Sequence, residues 1–317
     1  MCGFFQKIRG GKNMGENVFR RAKTVADQVA DQVESALQEA NRLGEPDRVA
    51  VRQLNEEGIH LGVQQGRFEE ALASFLEGLR KSGHDLQLRA DSLMNMGDML
   101  RRGPGDLDLA RKLFVMAELM PLSFTRRSRL RTMEAMLYIH ATEQGKNDPW
   151  GIAKNLALLE EAIVLADAAT QENPEESWAA KLFAAHRYLG TIGVFGNPDQ
   201  KAKGLRLIHQ LLPLLDPNSP SAARFKYSQS LIVRSEYPQE SVMLLMQSAE
   251  RMKEEFPLDA GAYLALAGLI CIEDLKDTEQ AEEYWKQAEE FRERIAKFSN
   301  SGYVIVTLDK LKQALGK

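Results

Sequence analysis

Gly66-Arg67-Phe68-Glu69-Glu70-Ala71-Leu72-Ala73-Ser74-Phe75-Leu76-Glu77-Gly78 is the stretch from which the rest of the chain is read. A glycine-led turn runs into an aromatic residue. A small residue stands three positions on, a second aromatic four beyond that, and a glycine three further. Residues three and four apart share one helix face. Ala71 and Gly78 therefore let a neighbouring helix approach closely, and Phe75 fills the space beside them. The spacing predicts a helix packed tightly against another.

Outward from this stretch the pattern recurs. Ala71, Ala110, Ala162, Ala202, Ser241 and Ala281 are spaced by 39, 52, 40, 39 and 40 residues. Four positions after five of them stand Phe75, Phe114, Ala166, Leu245 and Trp285, and seven positions after stand Gly78, Ala117, Ala169, Ser248 and Ala288. A fixed period with one stretched unit is the mark of a helical repeat. The fourth unit fits worst, because Ala202 puts Arg206 at an apolar position; a register starting at Gly204 places Ile208 and Leu211 there instead. Turn residues and prolines divide the chain into expected helix pairs: 47–65 with 68–82, 86–102 with 106–120, 125–144 with 150–172, 175–194 with 199–215, 219–235 with 239–255, and 259–274 with 278–298. Pro213 is expected to kink or end its helix early.

The expected organisation is a flexible N-terminal arm (1–13), a long amphipathic helix (14–45), a repeat domain (46–300) and a C-terminal capping helix (301–317). The fold class is all-α: a right-handed superhelical solenoid of about six antiparallel helix pairs. In the long helix Val18, Ala22, Val25, Val29, Val33, Ala36, Ala40 and Leu43 form a narrow stripe of small apolar residues. It is expected to pack on the repeats, with self-association as a homo-oligomer the alternative. Val304, Ile305, Leu308, Leu311 and Leu315 give the last segment one apolar face.

Composition excludes several classes of function. Hydrophobic residues make up 44% and charged residues 27%, as in a globular chain. The formal charge of −4, from 41 basic and 45 acidic residues, gives no basic footprint for nucleic acid. No apolar run reaches membrane-span length, and Phe4-Phe5 is followed at once by Gln6-Lys7, so neither an integral span nor a signal core is expected. Cys2 and Cys271 form no metal motif, the five histidines do not pair, and a cytoplasmic setting is expected. Gly10-Gly11-Lys12 lacks the first glycine and the hydroxyl residue of a phosphate loop. No nucleophile elbow or nucleotide fingerprint is present. The chain is expected to be non-enzymatic, with no cofactor and no metal. In the arm, Phe4, Phe5, Lys7 and Arg9 offer a peripheral membrane or partner contact, and a mobile terminus is the plainer reading.

The units resemble tetratricopeptide repeats. Gly66 to Ala71 with Phe75 and Gly78 matches the family's turn and second helix. Met96-Gly97, Ala110, Phe114, Ala117 and Pro121 match from the first-helix glycine through the closing proline, Ala162, Ala166, Ala169 and Pro174 match the second half of a third unit, and Gly268, Ala281, Trp285 and Ala288 match a sixth. The resemblance covers 47–298. The period exceeds the family's usual length of about thirty-four. Gly58 and Gly268 each sit one residue early, and the large aromatics of the first helices are mostly missing. A HEAT-like arrangement is the alternative.

The resemblance implies a groove that binds a peptide or protein segment. On the first helices, which line such a groove, the outward polar candidates are Asn55, His60, Gln64, Asn95, Asp98, Arg102, Glu134, Lys181, Arg187, Lys226 and Gln229. A solvated helix face is the plainer reading of each. Thr125-Arg126-Arg127-Ser128-Arg129-Leu130-Arg131 is the most pointed cluster, since cations in the first turns of a helix oppose its dipole. Glu160, Glu161, Glu175 or Glu176 would compensate them internally; an acidic peptide or C-terminus would do so from outside. The expected function is a scaffold or adaptor with a protein or peptide partner of acidic character. A peptide-sensing regulator and a chaperone for export or filament subunits are the alternatives.

Overall fold

The computed structural model describes residues 12–103, 106–143, 149–171, 173–296 and 302–317, and every regular element among them is helical. A long helix α1 (Lys12–Leu43) leads. Then come α2 (Arg48–Ile59) and α3 (Phe68–Lys81), α4 (Leu86–Arg102) and α5 (Leu107–Glu118), α6 (Phe124–Glu143) and α7 (Pro149–Ala168), α8 (Pro174–Phe195) and α9 (Pro198–Leu211), α10 (Pro220–Val233) and α11 (Pro238–Met252), and α12 (Pro257–Ile270) and α13 (Thr278–Glu289). Short α14 (Arg292–Ala296) and α15 (Gly302–Ala314) end the chain. The all-α expectation and the order of the six pairs are met. Phe4, Phe5, Lys7 and Arg9 lie outside the described residues.

Local chemistry sets the helix starts. Asp47, Asp85, Asp106, Asn197, Ser219 and Asp277 each accept a first-turn N–H through the side chain. Such caps are worth about 1 kcal/mol each. Pro198, Pro220, Pro238 and Pro257 open their helices, where a fixed φ helps and no N–H is missed. Pro213 acts as expected: α9 stops at Leu211 and a 3₁₀ turn, Leu212–Leu214, follows.

The displaced glycines have a structural cause. α2 and α12 run on into π-helical turns, His60–Gln64 and Cys271–Leu275. A π turn takes up one extra residue. After both turns, and after α4, the same bond closes the corner. Leu61, Leu100 and Cys271 carbonyls accept the N–H groups of Arg67, Asp106 and Asp277 at 2.9, 3.2 and 2.9 Å. The donors are the N-cap residues of α3, α5 and α13. Packing repeats as well. A methyl group on Gly58 or Gly97 would lie 2.5 Å from the ring of Phe75 or Phe114, so each aromatic presses on first-helix backbone.

The chain divides into two compact units, Met1–Ala184 and Ala185–Lys317, with the boundary inside α8. In the first, Phe75, Leu93, Met96, Phe114 and Leu130 are fully buried, and α1 lays Val29, Val33, Ala36 and Ala40 down as a buried stripe while packing on α3. In the second, α12 is wrapped by α11, α13 and α15, and Val304, Leu308 and Leu311 of α15 are completely buried. Burying each such side chain stabilises by about 1.5–3 kcal/mol. The fourth repeat takes the Gly204 register: Gly204, Ile208 and Leu211 are buried and Ala202 is exposed. Among the described residues, no helix is long and apolar enough to cross a membrane.

Candidate functional site

The outward groove face expected of the first helices is closed over α4. From Leu88 to Arg101 every residue except Asp91 is buried. Asn55, Asn95 and Asp98 are 8%, 4% and 6% exposed, which corrects their expected place at the surface. A helix surrounded by α2, α3, α5 and α6 has no outward side. Its polar residues serve internal bonds instead. Asn55 Oδ1 accepts from Ser92 Oγ at 3.2 Å. Asp98 accepts from Arg101 Nη2 and Arg102 Nε, both at 2.6 Å. Burial opposes the ionisation of Asp98, but the two guanidinium groups outweigh it and hold its carboxyl well below the usual aspartate range.

The other candidates are engaged locally. His60, exposed at the start of the π turn, has Nε2 2.7 Å from the Gln65 amide. Lys181 pairs with Asp167 at 2.6 Å in the first unit. In the second, Lys226 donates to Gln247 at 3.0 Å, and Arg187 and Gln229 are half-buried. Gln64 is exposed.

Most of the arginine cluster is compensated from inside. Arg126 Nε lies 3.0 and 3.1 Å from the two carboxylate oxygens of Asp91, with Nη2 at 2.8 Å from the second; Arg129 stands 3.8 Å from the same group. Arg131 donates to Glu118, Glu134 and Glu161 at 2.5, 2.7 and 3.1 Å. Of the acids named from sequence, Glu161 bonds Arg131, and Glu176 adds its field at Arg126. Burial works against the Arg131 charge, but its carboxylates prevail and raise its pKa further. Glu134 is also raised, although it faces Arg131: its own burial comes first, and Glu118 and Glu161 repel its charge. Arg127 is exposed and makes no ion pair among the described residues.

Arg126 also belongs to a cleft that sequence reasoning missed. The turn before α2 docks on the turn before α4: Asp47 N–H donates to Lys81 O at 3.0 Å, and His84 N–H donates to Gly44 O at 2.8 Å. Gln87 then ties α4 to the turn before α6, its amide donating to Pro121 O and its Oε1 accepting Ser123 N–H at 3.4 Å. The starts of α2, α4 and α6 are thereby gathered. Beside them opens a cleft of about 670 Å³, whose charged lining is Arg48, Arg52, Arg126, Glu45 and Asp85, with the His84 imidazole beside them.

The helix starts at this edge combine capping side chains with nearby arginines. None of α2, α4 and α6 has an acidic residue in its first turn, whereas α3 has Glu69 and Glu70 and α5 has Asp108. Helix N-termini carry partial positive charge and favour anions. Here Asp47 and Asp85 already cap α2 and α4, and Arg48, Arg52 and Arg126 stand beside the three starts. Arg52 makes no ion pair among the described residues. Arg48 Nη2 stands 3.2 Å from Asp85 Oδ2. The arrangement suits a ligand that brings carboxylates. No signal short of the three-turn assembly could reveal it, because Gly44, His84 and Pro121 are ordinary turn residues one repeat apart. No protein-family model matches the chain, and no curated protein matches it in sequence.

Proposed function

We propose that this chain is a non-enzymatic, tetratricopeptide-like interaction scaffold that holds an acidic protein segment in the cleft at the starts of α2, α4 and α6. One observation carries the reading: three first-helix N-termini without acidic first turns converge on a cleft lined by Arg48, Arg52 and Arg126. Its volume is in the range of ligand sites. The edge takes the place of the groove over α4, which side chains already fill.

The test is binding of a fluorescein-labelled decaglutamate peptide, followed by anisotropy at low salt. Arg48→Glu with Arg52→Glu should weaken binding more than about tenfold, since like charges replace matched ones. The helical circular dichroism should stay unchanged, because both side chains are on the surface. Affinity should also fall as salt rises. Equal binding by the double variant and the wild type would remove the cleft from the account.

A further inference from the structure

At this cleft Asp85 does two things at once. Its Oδ1 caps α4, accepting Gln87 N–H at 3.1 Å and Leu88 N–H at 3.2 Å. Its Oδ2 holds Arg48. The partners differ in freedom: the Asp85 side chain is 15% exposed and the Arg48 side chain 69%. The anion is fixed by its capping bonds, and the cation is loosely held, since an ion pair this exposed is weak. Arg52 is one helical turn from Arg48, so the two guanidinium groups rise from the same face of α2. Arg126 differs from both, locked to Asp91 by three contacts.

We infer that Asp85 is a built-in competitor for the acidic ligand, holding Arg48 until a ligand carboxylate takes it over and shares it with Arg52. The inference rests on the reading of the cleft as an acidic-segment site. It divides the arginines by role. Arg48 and Arg52 recognise the ligand; Arg126 stays on Asp91 and contributes its field and the wall. It also makes affinity adjustable at a residue that touches no ligand: removing the Asp85 charge should tighten binding, although most substitutions in a binding site weaken it.

The experiment uses the full chain and the decaglutamate probe. Asn caps a helix as well as Asp, so Asp85→Asn removes the charge and keeps the cap. The expected result is tightening by about two- to fivefold, the worth of an exposed ion pair. Asp85→Ser, another good cap, should do the same. In an Arg48→Gln background the gain should vanish, because the competitor acts only through Arg48. Glu45→Gln is the control, since Glu45 lines the same cleft and makes no ion pair among the described residues. If Glu45→Gln tightens binding as much as Asp85→Asn, net charge explains the effect and the competitor is overturned. Unchanged affinity in Asp85→Asn, with a wild type that binds and an Arg52→Gln variant that does not, overturns the competitor and leaves the site standing. No binding by the wild type overturns the cleft itself, and the competitor with it.

Discussion

In the first unit Arg126, the third residue of α6, reaches back to Asp91 on α4; in the second, Arg224 on α10 reaches forward to Asp259, the third residue of α12. Both pairs join successive first helices across 35 residues, at 2.8 and 3.5 Å. Their polarity is opposite. At the third position an acid is stabilised by the helix dipole, and a cation is opposed by it. The second unit takes the favourable order, and Arg224 also lies 4.7 Å over the Phe256 ring. The first unit takes the unfavourable order. The contact itself can be built either way, so stability alone does not account for the basic edge. That edge is where the cleft opens.

The largest expected effect comes from breaking the first pair. Arg126→Glu leaves Asp91, half-buried, beside a second carboxylate. It should cost about 2–3 kcal/mol, below the full penalty for a wholly buried charge. Adding Asp91→Arg restores the pair with the polarity of the second unit. The double variant should recover part of the loss, because the dipole favours the new order but Arg129, 3.8 Å from the Asp91 carboxylate, would then face a like charge, and it should bind the acidic probe less tightly. The opposite exchange, Arg224→Asp with Asp259→Arg, should lower stability slightly. Urea midpoints decide the matter. A wild-type midpoint for Arg126→Glu alone would show that the pair holds nothing.

Acid should separate the same two regions. Asp98 in α4 has a folded pKa below its ordinary 3.8. The unfolded chain therefore binds the proton first as pH falls, and the contribution of Asp98, complete above that value, is lost on the way down through its folded pKa. In the second unit His186 is held well below its ordinary 6.5, by burial first and then by Arg187 and Arg224; its Nδ1 is 3.3 Å from Ser228 Oγ. The folded state stays neutral where the unfolded chain would be protonated, so stability falls as pH drops below 6.5. His186→Gln should flatten the stability profile between about pH 7 and 5, and Asp98→Asn only below about pH 4. Equal profiles for wild type and His186→Gln across the upper window would defeat this reading.

The legible part of the fold rested on short-range periodicity. Ala71, Ala110, Ala162 and Ala281 are all completely buried, as their spacing requires. Gly204, Pro213 and the apolar face of the last helix also read correctly, because each follows from helix geometry within about one turn. The site was far less legible. A polar residue on a first helix reads as a solvent-facing one, yet Asn95 and Asp98 are enclosed because α2, α3, α5 and α6 pack around α4 on all sides. Arg126 announced a need for an anion without naming it, and the acids offered for the cluster stand further along the chain, on α7 and α8, while its bonded partner is Asp91 on α4. Asp91 could have been found by looking one repeat back at the same helix level. The cleft depends on three turns stacking, which no single window of sequence contains.

The smallest expected effect tests the corner that closes these repeats. Gly66 and Lys276 each precede the N-cap residue of a second helix, and both are left-handed, with φ of 68° and 60°. Lys276 is the one non-glycine residue with positive φ among the described residues. A side chain in that region costs about 1–2 kcal/mol, and the 2.6 Å bond from Lys276 Nζ to Glu273 O returns part of it. Lys276→Gly should therefore stabilise by about 0.5–1 kcal/mol once the greater freedom of glycine in the unfolded chain is set against the relieved strain. Gly66→Lys should destabilise by a similar amount. If both substitutions lower the urea midpoint, the two corners are not equivalent, and the repeat relation between the ends of α2 and α12 stops at the π turns.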